Sequence, residues 1–244
     1  MRPYTRSLDP QDYEFLPHAV PLRLFQETMT VPHNNSHLHK IWENASILQQ
    51  LEELQVPRDA RIIDVGSGGM FFPPYLSAVA GYKNLELTDS MGNMDIMPMV
   101  AAQCEYYGIS MPTYALKAES MSVLQSEAWD VVMCISTIEH IDADQHDNAL
   151  REIWRLAKPG GLIFLTSDYF KSSDGQLDRE QHRASPYRDG QLTAYHKEFV
   201  LNLPNIVDVE FIGDTDLDYR GDFVHNYSFV NVCMRKPLRH PLQP

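Results

Sequence analysis

The chain is predicted to be an α/β protein: one open twisted sheet with helices on both faces. Short apolar runs rich in β-branched residues alternate with stretches of helical period, which is the pattern of a mostly parallel sheet. A glycine cluster follows the first of these runs at once, and an acid, Asp89, closes the second about 20 residues further on. With 244 residues the chain can bury a sizeable core in one domain, carrying a strap and helix over 1–58 and a tail over 237–244.

Residues 1–36 hold Pro3, Pro10, Pro17, Pro21 and Pro32 among aromatics, a pattern too broken for long helices and too apolar for a free tail. A strap lying on the domain is expected. Leu38, Ile41, Trp42, Ala45, Leu48 and Leu51 then recur at helical spacing between Ser36, a candidate N-cap, and Pro57, so an amphipathic helix is expected over 36–54. His33, His37 and His39 crowd its entrance, but residues two apart on a helix face away from each other, and they read as polar residues of the helix start rather than as a zinc site.

Residues 61–65 form the first strand, apolar and β-branched except for Asp64, and Gly66, Ser67, Gly68 and Gly69 follow. Glycine lets the backbone turn sharply and lets a ligand approach the main chain at a helix start, where Pro73 and Pro74 cost no hydrogen bond. Taken alone, such a loop is either a cofactor seat or a plain tight turn. The following helix closes at Gly81, a second strand covers 85–88 before Asp89, and a helix over 98–107 ends at Gly108. Residues 114–116 and 129–136 are further strands; Asp142 or Asp144 can cap the next helix, which stops at the Lys158-Pro159-Gly160-Gly161 run before a fifth strand over 162–166. Residues 168–192 are polar and rich in turn formers, the composition of a lid or a surface excursion. A helix over 195–203 and strands over 207–212 and 227–234 complete the chain.

The formal net charge of −13 disfavours a nucleic-acid partner, whose phosphates need clustered Lys and Arg. Cys104, Cys134 and Cys233 are scattered and form no Cys-x-x-Cys pair, as packing thiols of a reducing, cytoplasmic compartment would. No run of 18 apolar residues or signal-peptide pattern is present, so no membrane association is expected. Asp214, Asp216 and Asp218 alternate as in a calcium loop, but the glycine and the closing acid of an EF-hand are replaced by Tyr219 and His225. A solvated acidic hairpin is expected there.

Asp64, Gly66 and Gly68, with Asp89 beyond them, together with Glu139-His140 after the fourth strand and Lys-Pro-Gly-Gly before the fifth, resemble the class I S-adenosylmethionine-dependent methyltransferases. The third glycine of the family pattern departs, standing at 69 with Met70 in the usual slot. The resemblance implies a Rossmann-like sheet over 59–236 with an antiparallel final strand, a helical N-terminal cap over the cofactor, and methyl transfer to an oxygen or nitrogen of a small-molecule acceptor. It also implies a seat for S-adenosylmethionine made by Asp64, Gly66, Ser67, Gly68, Gly69, Asp89 and Ile135, with Ala118 and Glu119 beside the adenine, although Lys117 replaces an acid common there. His140 is the candidate general base, because it follows a strand end that faces the pocket and imidazole alone among unperturbed side chains changes charge near neutrality. His196, Asp168 and Tyr169 are further candidates for that role. Some relatives hold a divalent ion through the Glu-His pair plus an acid three residues earlier; here that place is Ser136, so no metal is expected. Two rivals stay open: a non-catalytic cofactor-binding or assembly protein, and a nicotinamide dehydrogenase, whose fingerprint would require glycine at Phe71.

Overall fold

The computed structural model describes residues 4–8, 17–28, 38–68, 71–90, 96–171, 195–220 and 228–238. Its centre is β2 (Arg61–Val65), on the boundaries the pattern predicts, with Ile62, Ile63, Asp64 and Val65 buried because helices cover both faces. To one side run β3 (Asn84–Asp89) and β4 (Thr113–Ala115), to the other β5 (Trp129–Ile135) and β6 (Ala157–Tyr169), all parallel. The last strand, β9 (Ser228–Arg235), pairs antiparallel with β6 along Leu162 to Tyr169, as the resemblance implies. Three short strands, β1 (Thr5–Ser7), β7 (Glu210–Phe211) and β8 (Thr215–Asp216), extend the sheet beyond it. The order is β4-β3-β2-β5-β6-β9-β1-β8, with β7 also on β9. The chain therefore reverses its direction of progress between β2 and β5, and at such a switch point the carboxyl ends of the strands leave a crevice.

Six helices flank the sheet among the described residues: α1 (Ala19–Thr28), α2 (Leu38–Glu53), α3 (Phe72–Ala78), α4 (Ile96–Tyr107), α5 (His146–Leu156) and α6 (Lys197–Ile206). Alternation along the strands divides the core in two. Ile62, Met133, Phe164 and Phe229 pack with Leu22, Trp42, Leu48, Phe72 and Tyr75 of α1 to α3. Ile63, Val132, Leu165 and Val230 pack with Leu150, Ile153, Val200 and Leu203 of α5 and α6. No helix among the described residues is long and apolar enough to cross a membrane.

Several expectations need correction. Within the supposed strap, Thr5–Ser7 is a true strand, antiparallel to β9 and parallel to β8. The same stretch also forms the ten-residue α1, because Pro21 falls in the first turn, where its missing N–H has no helical partner to lose. Gln145, not Asp142 or Asp144, stands at the start of α5 and makes no side-chain cap. Asp168 and Tyr169 belong to β6, paired with Phe229 and Ser228, rather than to an insertion. The predicted strand over 207–212 is reduced to two residues. Residues 172–192 of the predicted lid, Gly69, His33, His37 and most of the predicted tail lie outside the described residues. In the Asp214–Asp218 stretch, Asp216 pairs with Arg220, and Asp218 accepts a 2.9 Å bond from Lys197 Nζ.

Candidate functional site

Two loops meet at the switch point. After β2, Gly66 and Gly68 take the left-handed conformation, with φ of 71° and 57°. Gly66 is required for a second reason: a Cβ there would stand 2.1 Å from Thr137 Cγ2. The Thr137 hydroxyl donates to Gly66 O at 2.8 Å, so the loop after β5 is stitched to the loop after β2. Glycine's identity at 66 is thus set by a residue 71 positions away, a contact that local pattern does not reveal.

Asp89 ends β3 beside this turn. Gly68 N–H donates to its Oδ2 at 2.6 Å and Ser90 N–H to its Oδ1 at 2.7 Å, which fixes the carboxylate at the edge of the turn. Leu116 N–H donates 2.8 Å to Asp89 O, which brings the loop carrying Ala118 and Glu119 to the same strand ends. Asp64 lies behind the turn, almost wholly buried; burial pushes its carboxyl up to about 7, the Ser67 hydroxyl opposing and Asp89 adding to the shift. Asp64 Oδ1 and Ser67 Oγ are buried without a hydrogen bond of ordinary geometry. A cradle that only glycine can line, a tethered carboxylate at its edge and orphaned buried oxygens behind it fit a cofactor carrying a ribose diol and cationic groups. The predicted seat residues that are described, Asp64, Gly66, Ser67, Gly68, Asp89, Ala118, Glu119 and Ile135, all lie at or just beyond the ends of β2 to β5.

Beyond β5, Ser136 is left-handed at φ 45°, which costs a non-glycine residue about 1–2 kcal/mol. It is held by its N–H to Thr166 O at 3.1 Å and Thr166 Oγ1 at 3.0 Å, and by its hydroxyl donating to Glu43 Oε1 at 2.5 Å. A single 3-10 turn, Ile138–His140, follows and sends adjacent side chains opposite ways: Glu139 is buried and His140 is exposed. Burial pushes the Glu139 carboxyl well above the usual range, Asp168 adds to this and Lys40 opposes it. Lys40 in turn pairs with the buried Glu43 at 3.1 Å. Sequence reasoning places Asp168 on a lid, names Ser136 only as the place of a missing metal-binding acid, and does not single out Glu43 or Thr137. An amphipathic helix leaves one face to solvent, but in α2 every residue from 41 to 48 is buried. Two candidate bases are engaged elsewhere: Tyr169 donates to Leu217 O at 2.6 Å, and His196 Nδ1 lies 2.8 Å from Glu198. Among the described residues no cluster of three His, Cys, Asp or Glu side chains could hold a metal.

Residues 63–165 match the family described as "Methyltransferase domain". A ubiquinone biosynthesis O-methyltransferase of Burkholderia pseudomallei is 27% identical over 142 residues, 53% of this chain and 58% of the relative. Its counterpart from Pseudomonas savastanoi is 25% identical over the same shares. The chain thus spans little more than half the length of these curated relatives. The crystal structure of a [4+2]-cyclase, SpnF, superposes with a TM-score of 0.65 at 14% identity, covering 96% of this chain and 97% of that one. A putative methyltransferase of Bacillus halodurans gives 0.60 at 16% identity, covering 79% and 99%. An S-adenosylmethionine-dependent methyltransferase from Clostridium acetobutylicum gives 0.59 at 10% identity, covering 80% and 91%. These structures share the fold.

Proposed function

We propose that this chain, whose residues 63–165 match a methyltransferase domain, is a class I S-adenosylmethionine-dependent enzyme that transfers a methyl group to an oxygen or nitrogen of a small-molecule acceptor. The observation that carries the reading is the turn at Gly66 and Gly68 with Asp89 tethered to it. When bound, S-adenosylmethionine supplies an activated methyl group on a sulfonium centre. Asp89 would receive the ribose hydroxyls, the main chain of the 66–69 turn with Asp64 and Ser67 would face the methionine portion, Ala118 and Glu119 would flank the adenine, and Ile135 would border the same seat. The remaining work is alignment and exclusion of water, which the tie between Glu43 of α2 and Ser136 after β5 supports. His140, on the rim, is the proposed proton acceptor: an imidazole open to solvent can pass its proton on. A cytoplasmic setting, with no nucleic-acid partner, belongs to the same proposal, and free buried thiols at Cys134 and Cys233 support it.

Fold alone does not fix the reaction, as the cyclase among the structural relatives illustrates. The test is to incubate the purified protein with S-adenosylmethionine and a panel of hydroxylated and amino metabolites, and to follow the mass gain of one methyl group. A methylated product is expected; cofactor bound with no product from any acceptor favours the non-catalytic reading. With an acceptor in hand, His140→Ala is expected to slow turnover about 10²- to 10⁴-fold at unchanged cofactor affinity. An unchanged rate removes His140 from the mechanism.

A further inference from the structure

The turn after β2 is held from two sides. Toward β3, Gly66 N–H and Ser67 N–H each donate to Thr88 O at 2.9 Å, and Gly68 N–H donates to Asp89 Oδ2 at 2.6 Å. Toward β5, the Thr137 hydroxyl donates to Gly66 O at 2.8 Å. Gly66 O and Ser67 N–H belong to one planar peptide group, so that group is pinned at both ends, by Thr137 and by Thr88. Gly66 stands at φ 71° and carries no Cβ, so nothing in its own local geometry keeps this peptide from swinging once an end is released.

Thr137 serves that contact rather than its own turn. It stands at the N-cap of the 3-10 turn Ile138–His140, where a threonine hydroxyl ordinarily accepts a backbone N–H of the turn that follows, yet it makes no such cap. Its single hydroxyl proton has two carbonyls in reach: Gly66 O at 2.8 Å lies inside the ordinary O–H···O range, and Ile135 O at 3.2 Å lies outside it. The base beneath it is fixed, because Ser136 bonds Thr166 through its N–H and Glu43 through its hydroxyl while holding a φ of 45°. Through its main chain Thr137 also carries the next turn, His140 N–H donating to Thr137 O at 2.9 Å. One residue therefore grips the cofactor turn with its side chain and the turn bearing His140 with its backbone. Thr137 is only half-buried, so its hydroxyl adds modestly to the stability of the fold.

We propose that Thr137 is a positioning residue for the cofactor: by fixing the Gly66–Ser67 peptide it keeps Gly68 N–H on Asp89, and it holds the His140 turn in register with the cofactor turn. Cofactor affinity then depends on a hydroxyl that lies outside the glycine cluster and 71 positions along the chain from it. The proposal rests on the methyl-transfer reading only in taking the ligand of the turn to be S-adenosylmethionine.

The experiment compares the full chain as wild type, Thr137→Val, which keeps the shape and removes the hydroxyl, and Thr137→Ser, which keeps the hydroxyl and removes the methyl group. Three quantities are measured on each: affinity for S-adenosylhomocysteine by calorimetry, the melting point without ligand, and amide hydrogen exchange at Ser67 and Gly68 without ligand. Thr137→Val is expected to bind about 3- to 10-fold more weakly and to exchange faster at both amides, while Thr137→Ser stays within about threefold of wild type in affinity and exchanges like it. A threonine with a merely structural role would lower the melting point of Thr137→Val and leave the affinity of the folded protein unchanged, and that result would overturn the proposal. So would Thr137→Ser behaving like Thr137→Val, since the methyl group and not the hydroxyl would then hold the turn. If wild type does not bind S-adenosylhomocysteine, the cofactor reading falls and the effect on affinity with it, while exchange still judges the tie: equal rates at Ser67 in wild type and Thr137→Val would show that the hydroxyl does not fix the peptide.

Discussion

On the face of the sheet covered by α5 and α6, buried polar groups find partners: His146 Nε2 meets the Tyr195 hydroxyl at 3.0 Å, and the Tyr169 hydroxyl donates to Leu217 O at 2.6 Å. On the same side Arg155 bridges Glu152, Met121 O, Leu124 O and Ser126 with bonds of 2.6 to 2.9 Å. On the face covered by α2, the side chains of Asp64, Asn44, Asn231 and Glu139 each keep at least one buried atom without a bond. Burial alone therefore does not separate structural from functional polar groups. The first set spends its hydrogen bonds on the fold, although Ser228 Oγ on that face is also buried without one, so orphaned atoms gather on the α2 side without being confined to it.

The largest expected effect concerns Asp64, whose carboxyl is held up to about 7 in the folded chain against 3.8 in the open one. The folded state keeps a proton that the unfolded state gives up, so this contribution is fully present below about pH 4 and is lost as pH rises through about 7. At about 1.4 kcal/mol per pH unit the loss amounts to a few kcal/mol. Asp64→Asn should flatten this part of the stability–pH curve, so that the variant gains on wild type between about pH 4 and 7. Urea unfolding across that range checks it; parallel curves would show that Asp64 is solvated or paired after all, and the contrast between the faces would weaken.

Next is Gly66→Ala, which meets both a positive φ and Thr137 at 2.1 Å. A loss of about 3 kcal/mol is expected, partly recovered in the double variant with Thr137→Ala. Additive losses would mean that the two loops are not stitched together. The smallest effect is expected on the satisfied face. Tyr195→Phe leaves His146 Nε2 without its partner in a fully buried setting and should cost about 1–2 kcal/mol. Burial already lowers His146 to about 4, so this cost should stay constant from about pH 6 to 8. A cost that varies over that range would show that the ring titrates there.

The parts that could be read from the sequence are those set by local pattern. β2 was legible to the residue because an apolar β-branched run stops at a glycine, and Asp89 because it closes the next such run. The switch point follows from the order of those elements. What stayed hidden is non-local. An amphipathic reading assigns Glu43 and Asn44 to solvent by default, and only the enclosure of α2 on every side reverses that. Adjacent residues cannot be sorted into inward and outward without the geometry of the 3-10 turn, which buries Glu139 and exposes His140. Asp168 followed the apolar part of its strand and so resembled the start of a loop, yet its ladder with β9 continues to Tyr169.

The central claim is that the turn after β2 and the carboxylate after β3 form one cofactor seat. It is tested most directly by calorimetric titration of wild type and Asp89→Ala with S-adenosylhomocysteine. Loss of a charged hydrogen-bonding partner, worth about 1.5–3 kcal/mol, predicts binding weakened about 10- to 100-fold in the variant. Equal affinities for the two proteins would contradict the account.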